Sequence, residues 1–352
     1  MSSISPRIRR RLGQLVRLIP VGALIAIAYY GVQNFVEGEP THLARLPGIA
    51  AIGVIVVLLV GAFELLYLPS RPGARLRRQP FAAQLLIRVI AMWLAIFIGL
   101  TLGNAFFNPA ITFEYWRTPA IVIDAVVTFA IALVILFFLQ MRDLVGPRIL
   151  GAFVLGRYFR PVSEFRVFLF MDLANSTPLA ERLGDEGTHA LISQFFFDIA
   201  APILEYEGET HRYIGDEIVV TWRESTAFRD NNCLEAIFAI DAEIARQKEH
   251  YIARFDEAPR FRAALHCGMV AAGECGEDKR EIVFFGDTVN TTARIQSLCR
   301  ELDRDILISD ALAERLSPSD RYRLEALGQH QLRGRNQPIG LFAVHQTPRA
   351  PS

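Results

Sequence analysis

The 352-residue sequence has no surplus charge of either sign, because 37 Lys and Arg face 37 Asp and Glu. That balance gives no support to a nucleic-acid partner, and none is expected. Cysteine is scarce. Cys233, Cys267, Cys275 and Cys299 all lie in the second half, none forms a CxxC pair, and no His stands at metal spacing. A disulfide framework and a structural zinc site are therefore excluded, and reduced thiols are expected. After Ser163 no apolar run is long enough to span a bilayer. The first apolar run lacks an evident small-residue cleavage site and is too long and polar-interrupted for a removable signal peptide.

What the chain has in excess is apolar residues, 52% of the total, and they are unevenly placed. Four runs precede residue 142: about Leu15–Val36, Pro47–Leu68, Gln84–Phe106 and Pro119–Met141. Each approaches or exceeds the ~20 residues that cross a bilayer. Arginines cluster at Arg7, Arg9, Arg10 and Arg11, at Arg71, Arg75, Arg77 and Arg78, and at Arg142, Arg148, Arg157 and Arg160. The other two loops hold only Arg45 and Arg117. Positive charge stays inside. The pattern predicts four spans in the inner (plasma) membrane, short external loops, and both termini in the cytoplasm. Glu64, Arg88 and Asp124 fall near the ends of these runs, where they can reach the interface; a functional role is the alternative. Tyr115, Trp93 and Trp116 read as interfacial anchors or packing residues. No large external segment or haem-suited His pair shows what the membrane part senses; membrane lipid is an expected partner, and binding another apolar ligand, pairing with another membrane protein, or only anchoring and dimerising the chain are the alternatives.

The predicted organisation is a transmembrane domain at 1–141, a basic Gly/Pro-punctuated linker at 142–163 and a soluble domain at 164–352. In the soluble part, strands are expected at Phe165–Met171, Glu209–Tyr213, Ile218–Trp222, Phe261–Val270, Glu281–Phe285, Ile306–Ser309 and Ile339–Val344. Helices are expected over Leu179–Glu205, around Leu234–Ile244, and over Thr288–Cys299. Gly273 and Gly276 suggest a turn. The order β-α-β-β-α-β with extra strands is the ferredoxin-like α+β arrangement.

Three motifs carry chemistry. In FLFMDLANSTPLAERLG, Asp172 ends the first strand, and small polar residues, Asn175, Ser176 and Thr177, begin a helix. In YIGDEIVVTW, Asp216 sits in a hairpin turn. A ferredoxin-like sheet sets the first strand beside that hairpin, so the two carboxylates meet at one edge. Such a pair repels unless a cation lies between, and oxygen ligation suits Mg²⁺ or Mn²⁺. The helix start exposes backbone N–H groups for an anion. The bland alternative is that Asp172 or Thr177 only caps the helix. In FFGDTVNTTAR, Asn290 and Arg294 are four apart on one helix face, which suits a ribose oxygen and a reacting phosphoryl group.

These motifs, in this order and spacing, resemble the class III nucleotidyl cyclases, the adenylate/guanylate cyclase family, over about residues 164–345. Four spans before GRYFRP look like a group of bacterial membrane cyclases. The resemblance implies two metal ions held by Asp172 and Asp216 with help from the Leu173 carbonyl, and a transition-state pair in Asn290 and Arg294. It also implies a polyphosphate contact from Arg333. It further implies a homodimer with shared sites, one chain giving the metal aspartates and the other the base pocket and Asn/Arg pair.

The base pocket departs from the adenine-selective pattern. Arg212 stands where a Lys is usual, and Val283 where an Asp, Thr or Ser is usual. Arg212 can donate a hydrogen bond; Val283 can accept none. ATP is the favoured substrate, with GTP or a pyrimidine nucleotide as alternatives. A diguanylate cyclase shares the palm-like fold, and IGDEI faintly echoes its signature, but that signature's second Gly is absent and the Asn/Arg pair has no use there. A catalytically weak membrane receptor is the remaining rival.

Overall fold

The structure is a computed structural model. It describes residues 6–107 except 39, 41, 69, 71, 72, 74, 75, 77 and 78, scattered positions between 122 and 140, and residues 158–347 except 278, 279 and 336. The chain divides into two compact units, residues 1–151 and 152–352.

In the first unit α1 spans Pro6–Glu37 and α2 spans Leu46–Gly61, continued by a π-helical turn at Ala62–Tyr67. A third helix, α3, spans Phe81–Phe107. Among the described residues three helices are long and apolar enough to cross a membrane, with apolar windows at Leu15–Val32, Leu43–Tyr67 and Phe81–Gly99. Small residues let them approach closely: a Cβ on Gly53 would lie 2.4 Å from the Gly22 carbonyl oxygen. The expected fourth run, Pro119–Met141, lies largely outside the described residues, as do Asp124, Tyr115, Trp116 and the linker 142–157. Its described positions are helical. The Trp93 indole donates to the Ala125 carbonyl at 3.0 Å and its ring meets Phe129 edge-on, so Trp93 is a packing residue. Glu64 and Arg88 face each other. Their side chains approach to 4.0 Å and are mostly buried.

The second unit begins, after Tyr158, with β1 (Val162–Leu173) and α4 (Ser176–Glu205). The hairpin β2 (Glu209–Ile214) and β3 (Glu217–Arg223) follows, then α5 (Asn232–Arg246) and α6 (Lys248–Phe255). Next come β4 (Phe261–Cys275), β5 (Glu281–Phe285), α7 (Asp287–Glu301), β6 (Ile306–Ser309), β7 (Tyr322–His330) and β8 (Ile339–Gln346). The sheet order is β2-β3-β1-β4-β6-β8-β7, with β5 added to β4. The first four strands have the ferredoxin-like order expected from the β-α-β-β-α-β succession of elements.

Alternation along β1 fixes two faces. Val167, Leu169, Met171 and Leu173 enter one core with Phe195, Ile199, Trp222, Ile237 and Ile240, beneath α4 and α5. Phe168 and Phe170 point the other way, into a cluster with Val219, Val270 and Phe284. Asp172 shares that second face, and α7 packs on it. Gly268 makes this packing possible, since a Cβ there would lie 2.6 Å from Thr288 Oγ1. Two expectations need correction. Gly276, at φ 99°, lies in the expected turn between β4 and β5, but Gly273 does not: β4 runs on to Cys275, and Gly273 pairs with Val283 of β5. The strand β7 was not anticipated. It is an outer strand paired only to β8, with a largely half-exposed pattern.

Candidate active site

The β1 register places Met171 opposite Ile218 of β3. Asp172 therefore leaves the sheet beside the hairpin turn, next to Glu217 and Asp216. That turn has two residues, and Gly215 at its first position has φ 63°, as a type II′ turn requires. Tight closure carries Asp216 and Glu217 to the sheet end where Asp172 emerges.

The Oδ1 atom of Asp172 is buried and has no hydrogen-bond partner. Burial raises this carboxyl's pKa. A hydrogen bond with Gln296 and the charge of Arg262 oppose the rise, while Asp216 adds to it. Glu217 is pushed up to about 7, first by burial and then by repulsion from Asp172 and Asp216. Three carboxylates thus crowd one edge without enough local positive charge, the electrostatics of a cation site. Among the described residues no group of three or more His, Cys, Asp or Glu is disposed to hold a metal ion by itself. Oxygen donors from backbone, water or a bound phosphate would have to complete the shell, which is how Mg²⁺ is usually held. These residues fit such a metal.

The helix α4 begins at Ser176. Its cap position is Asn175, in the left-handed region at φ 60°, and its side chain makes no capping bond. Asp172 and Thr177 do not cap it either, so the simple capping alternative fails. Leu173 ends β1 with its side chain in the core.

Along α7, Thr288, Thr291, Thr292, Ile295 and Cys299 form the buried stripe. Asn290 is exposed and Arg294 half-buried. Arg294 lies against Gly334, in the loop between β7 and β8. Arg335 in that loop pairs with Asp287 at the start of α7, 3.2 Å apart, while Arg333 is exposed. Gln296, which contacts Asp172, is two residues from Arg294 and so about 200° around the helix. Within one chain, the Asn290/Arg294 face and the Asp172 cluster lie on different sides of α7. The structure brings Asp172 and Asp216 together and does not bring Asn290 and Arg294 to them.

Arg212, on β2, is half-exposed and pairs with Glu281 on β5. Val283 is partly buried on the same strand. Sequence reasoning missed Glu217, Arg262, Glu281, Gln296 and Arg335. Glu217 was legible as the third residue of the GDE turn. The others act through contacts between elements distant in sequence.

A profile of the adenylate and guanylate cyclase catalytic domain matches residues 162–346. Adenylate cyclase 2 of Rhizobium meliloti (strain 1021) is 37% identical over 298 residues, covering 84% of this chain and 82% of that protein. That alignment is longer than the profile match, so the likeness extends into the apolar N-terminal part. The photoactivated adenylate cyclase subunit beta of Euglena gracilis is 32% identical over 190 residues, 53% of this chain but 21% of that one. A solved bacterial light-regulated adenylyl cyclase has a similar fold, with a TM-score of 0.50 at 18% identity, covering 61% of this chain and 64% of that one.

Proposed function

The chain belongs to the adenylate and guanylate cyclase catalytic-domain family, and from that premise we propose a membrane-anchored adenylate cyclase that converts ATP to 3′,5′-cyclic AMP and pyrophosphate. The observation that carries this reading is the unpartnered, buried Oδ1 of Asp172 among Asp216 and Glu217. The 37% identity to an adenylate cyclase over most of both chains favours ATP.

The 3′-oxygen of ATP attacks its own α-phosphorus. The bond from that phosphorus to the bridging oxygen breaks, its electron pair leaves with pyrophosphate, and the hydroxyl proton passes to solvent. Asp172 and Asp216, with the Leu173 carbonyl, are the residues that would hold two Mg²⁺ or Mn²⁺ ions; such ions would supply a lowered pKa for the hydroxyl and positive charge for the leaving group. Asn290 orients the ribose, and Arg294 takes up charge on the phosphoryl oxygens. The N–H groups of Asn175, Ser176 and Thr177 open α4 toward the phosphates, and the loop with Arg333 and Arg335 meets the polyphosphate. Arg212 and Val283 lie at the base end.

Because the Asn290/Arg294 face is turned from its own Asp172, a second copy completes each site. A homodimer then holds two equivalent sites. Four spans carry the enzyme in the inner membrane with its catalytic unit cytoplasmic. Beyond the three apolar helices, two contacts support a fourth running antiparallel to α3: Trp93 with Ala125, and Gln140 with the Phe81 carbonyl.

The test is turnover of ATP, GTP, CTP and UTP by the purified full-length protein with Mn²⁺. Cyclic AMP is the expected main product, and Asp172→Ala should lower its formation at least a hundredfold. Preference for GTP would make the protein a guanylate cyclase. Turnover of none would make it a receptor with a cyclase-like domain.

A further inference from the structure

The base end of the proposed site poses a question of complementarity. Adenine presents a ring acceptor, N1, beside an exocyclic donor, the 6-amine, so a reading site needs one donor and one acceptor side by side. Arg212 supplies the donor, and the aliphatic Val283 supplies no acceptor.

The structure offers one nearby. Glu281 begins β5, two residues before Val283, and the two side chains share a face of the strand. The opposite face is anchored. Ile282 is buried, and the Phe284 ring packs edge-on against Phe168 at 5.4 Å and His211 at 5.0 Å. The Arg166 guanidinium covers the same ring at 5.1 Å and is itself held by Glu164 and Glu209. With Phe284 fixed inward, Glu281 and Val283 are turned outward. There the Glu281 carboxylate meets the Arg212 guanidinium across the gap from β2.

We propose that Glu281, steered by Arg212, is the acceptor that reads the base: its carboxylate takes the 6-amine of adenine while Arg212 donates to N1. This rests on the cyclase reading above. The pair is open to solvent, with side-chain exposures of 43% and 36%. Such a pair contributes little to folding, yet it is accessible to a ligand. It sets one donor and one acceptor side by side, as the adenine edge requires. The strand is also placed for the task, since β5 passes through Gly286 directly into α7, which carries Asn290 and Arg294. Base and phosphoryl contacts thus come from consecutive elements. The acceptor has moved by two strand positions, ~7 Å along the backbone. Glutamate's extra methylene over aspartate and the pull of Arg212 toward β2 work against that offset.

The experiment compares kcat/KM for ATP with that for purine ribonucleoside triphosphate, the same nucleotide without the 6-amine, using full-length protein and Mn²⁺. Wild type should favour ATP by about ten- to a hundredfold, since a site built to pair with a polar group discriminates against its absence. In Glu281→Ala the ratio should fall to near one through loss on ATP, with the amine-free analogue changing far less. Glu281→Gln, which still offers an amide oxygen, should keep part of the preference. A wild-type ratio near one overturns the proposal, as does an equal loss on both nucleotides in Glu281→Ala or an unchanged ratio. Failure of the wild type to cyclise ATP at all would overturn the cyclase reading itself.

Discussion

Asp172 sits where burial makes a carboxylate costly to the fold, and Gln296 and Arg262 offset that cost only in part. It is pushed toward the neutral form by burial, and one oxygen finds no donor. An unsatisfied buried polar atom costs about 1–3 kcal/mol. Asp172→Asn should therefore abolish cyclase activity while leaving thermal stability in metal-free buffer unchanged or higher, as melting curves of the purified protein will show. A clear drop in Tm would mean that the carboxylate serves the fold. His266 makes the opposite case. It is buried against Ser309, with Nδ1 2.7 Å from the hydroxyl. Burial, aided by Arg335, lowers its pKa to about 4, against opposing pulls from Asp287 and Asp310. Below pH 6.5 the unfolded chain takes up a proton that the folded chain refuses until about pH 4. Stability is thus intact above 6.5 and falls as pH drops toward 4. From this residue alone the loss by pH 5 is about 2 kcal/mol. Denaturant titrations at pH 7 and pH 5 should show it, and His266→Gln should flatten the difference.

At the scale of elements, the position of α7 depends on one missing side chain. A methyl group on Gly268 would meet Thr288 Oγ1 at 2.6 Å, so Gly268→Ala must displace that hydroxyl from its bond to the Met269 carbonyl or push away the helix that carries Asn290 and Arg294. A misplacement near 1 Å costs on the order of a hundredfold in rate. The expected kcat loss in Gly268→Ala is of that size, and adding Thr288→Ala should recover much of it by removing the obstructing hydroxyl. Equal rates for the single and double variants would contradict the account. Elements also differ in how far the sequence reveals them. The unbroken apolar run of β1 and the Leu234, Ile237, Ile240 and Ile244 face of α5 were legible because burial leaves an apolar trace in the sequence. The outer strand β7 was not, since pairing on one side only leaves its pattern mixed. The Gly273 turn signal was overruled by pairing to Val283, a tertiary effect. In the site, Asp172 and Asp216 were legible from local motifs. The Gln296 contact and the Arg212–Glu281 pair were not, because they join segments far apart in the chain.

For the whole molecule, the proposed reading gives each catalytic unit two half-sites on different sides of α7: the Asp172 and Asp216 edge, and the Asn290 and Arg294 face. A single chain that cannot bring them together is the strongest physical reason to expect that two chains work as one enzyme, with the apolar N-terminal helices holding them in one membrane. The most direct measurement is complementation between two inactive variants. Asp172→Ala and Asn290→Ala are coexpressed with different tags, doubly purified mixed dimers are recovered, and cyclic AMP formation is assayed. In a mixed dimer one site carries both lesions and the other carries neither. The account predicts near-background activity for each variant alone and about half the wild-type rate for pure mixed dimers, if the sites turn over independently. Mixed dimers as inactive as their parents would contradict it.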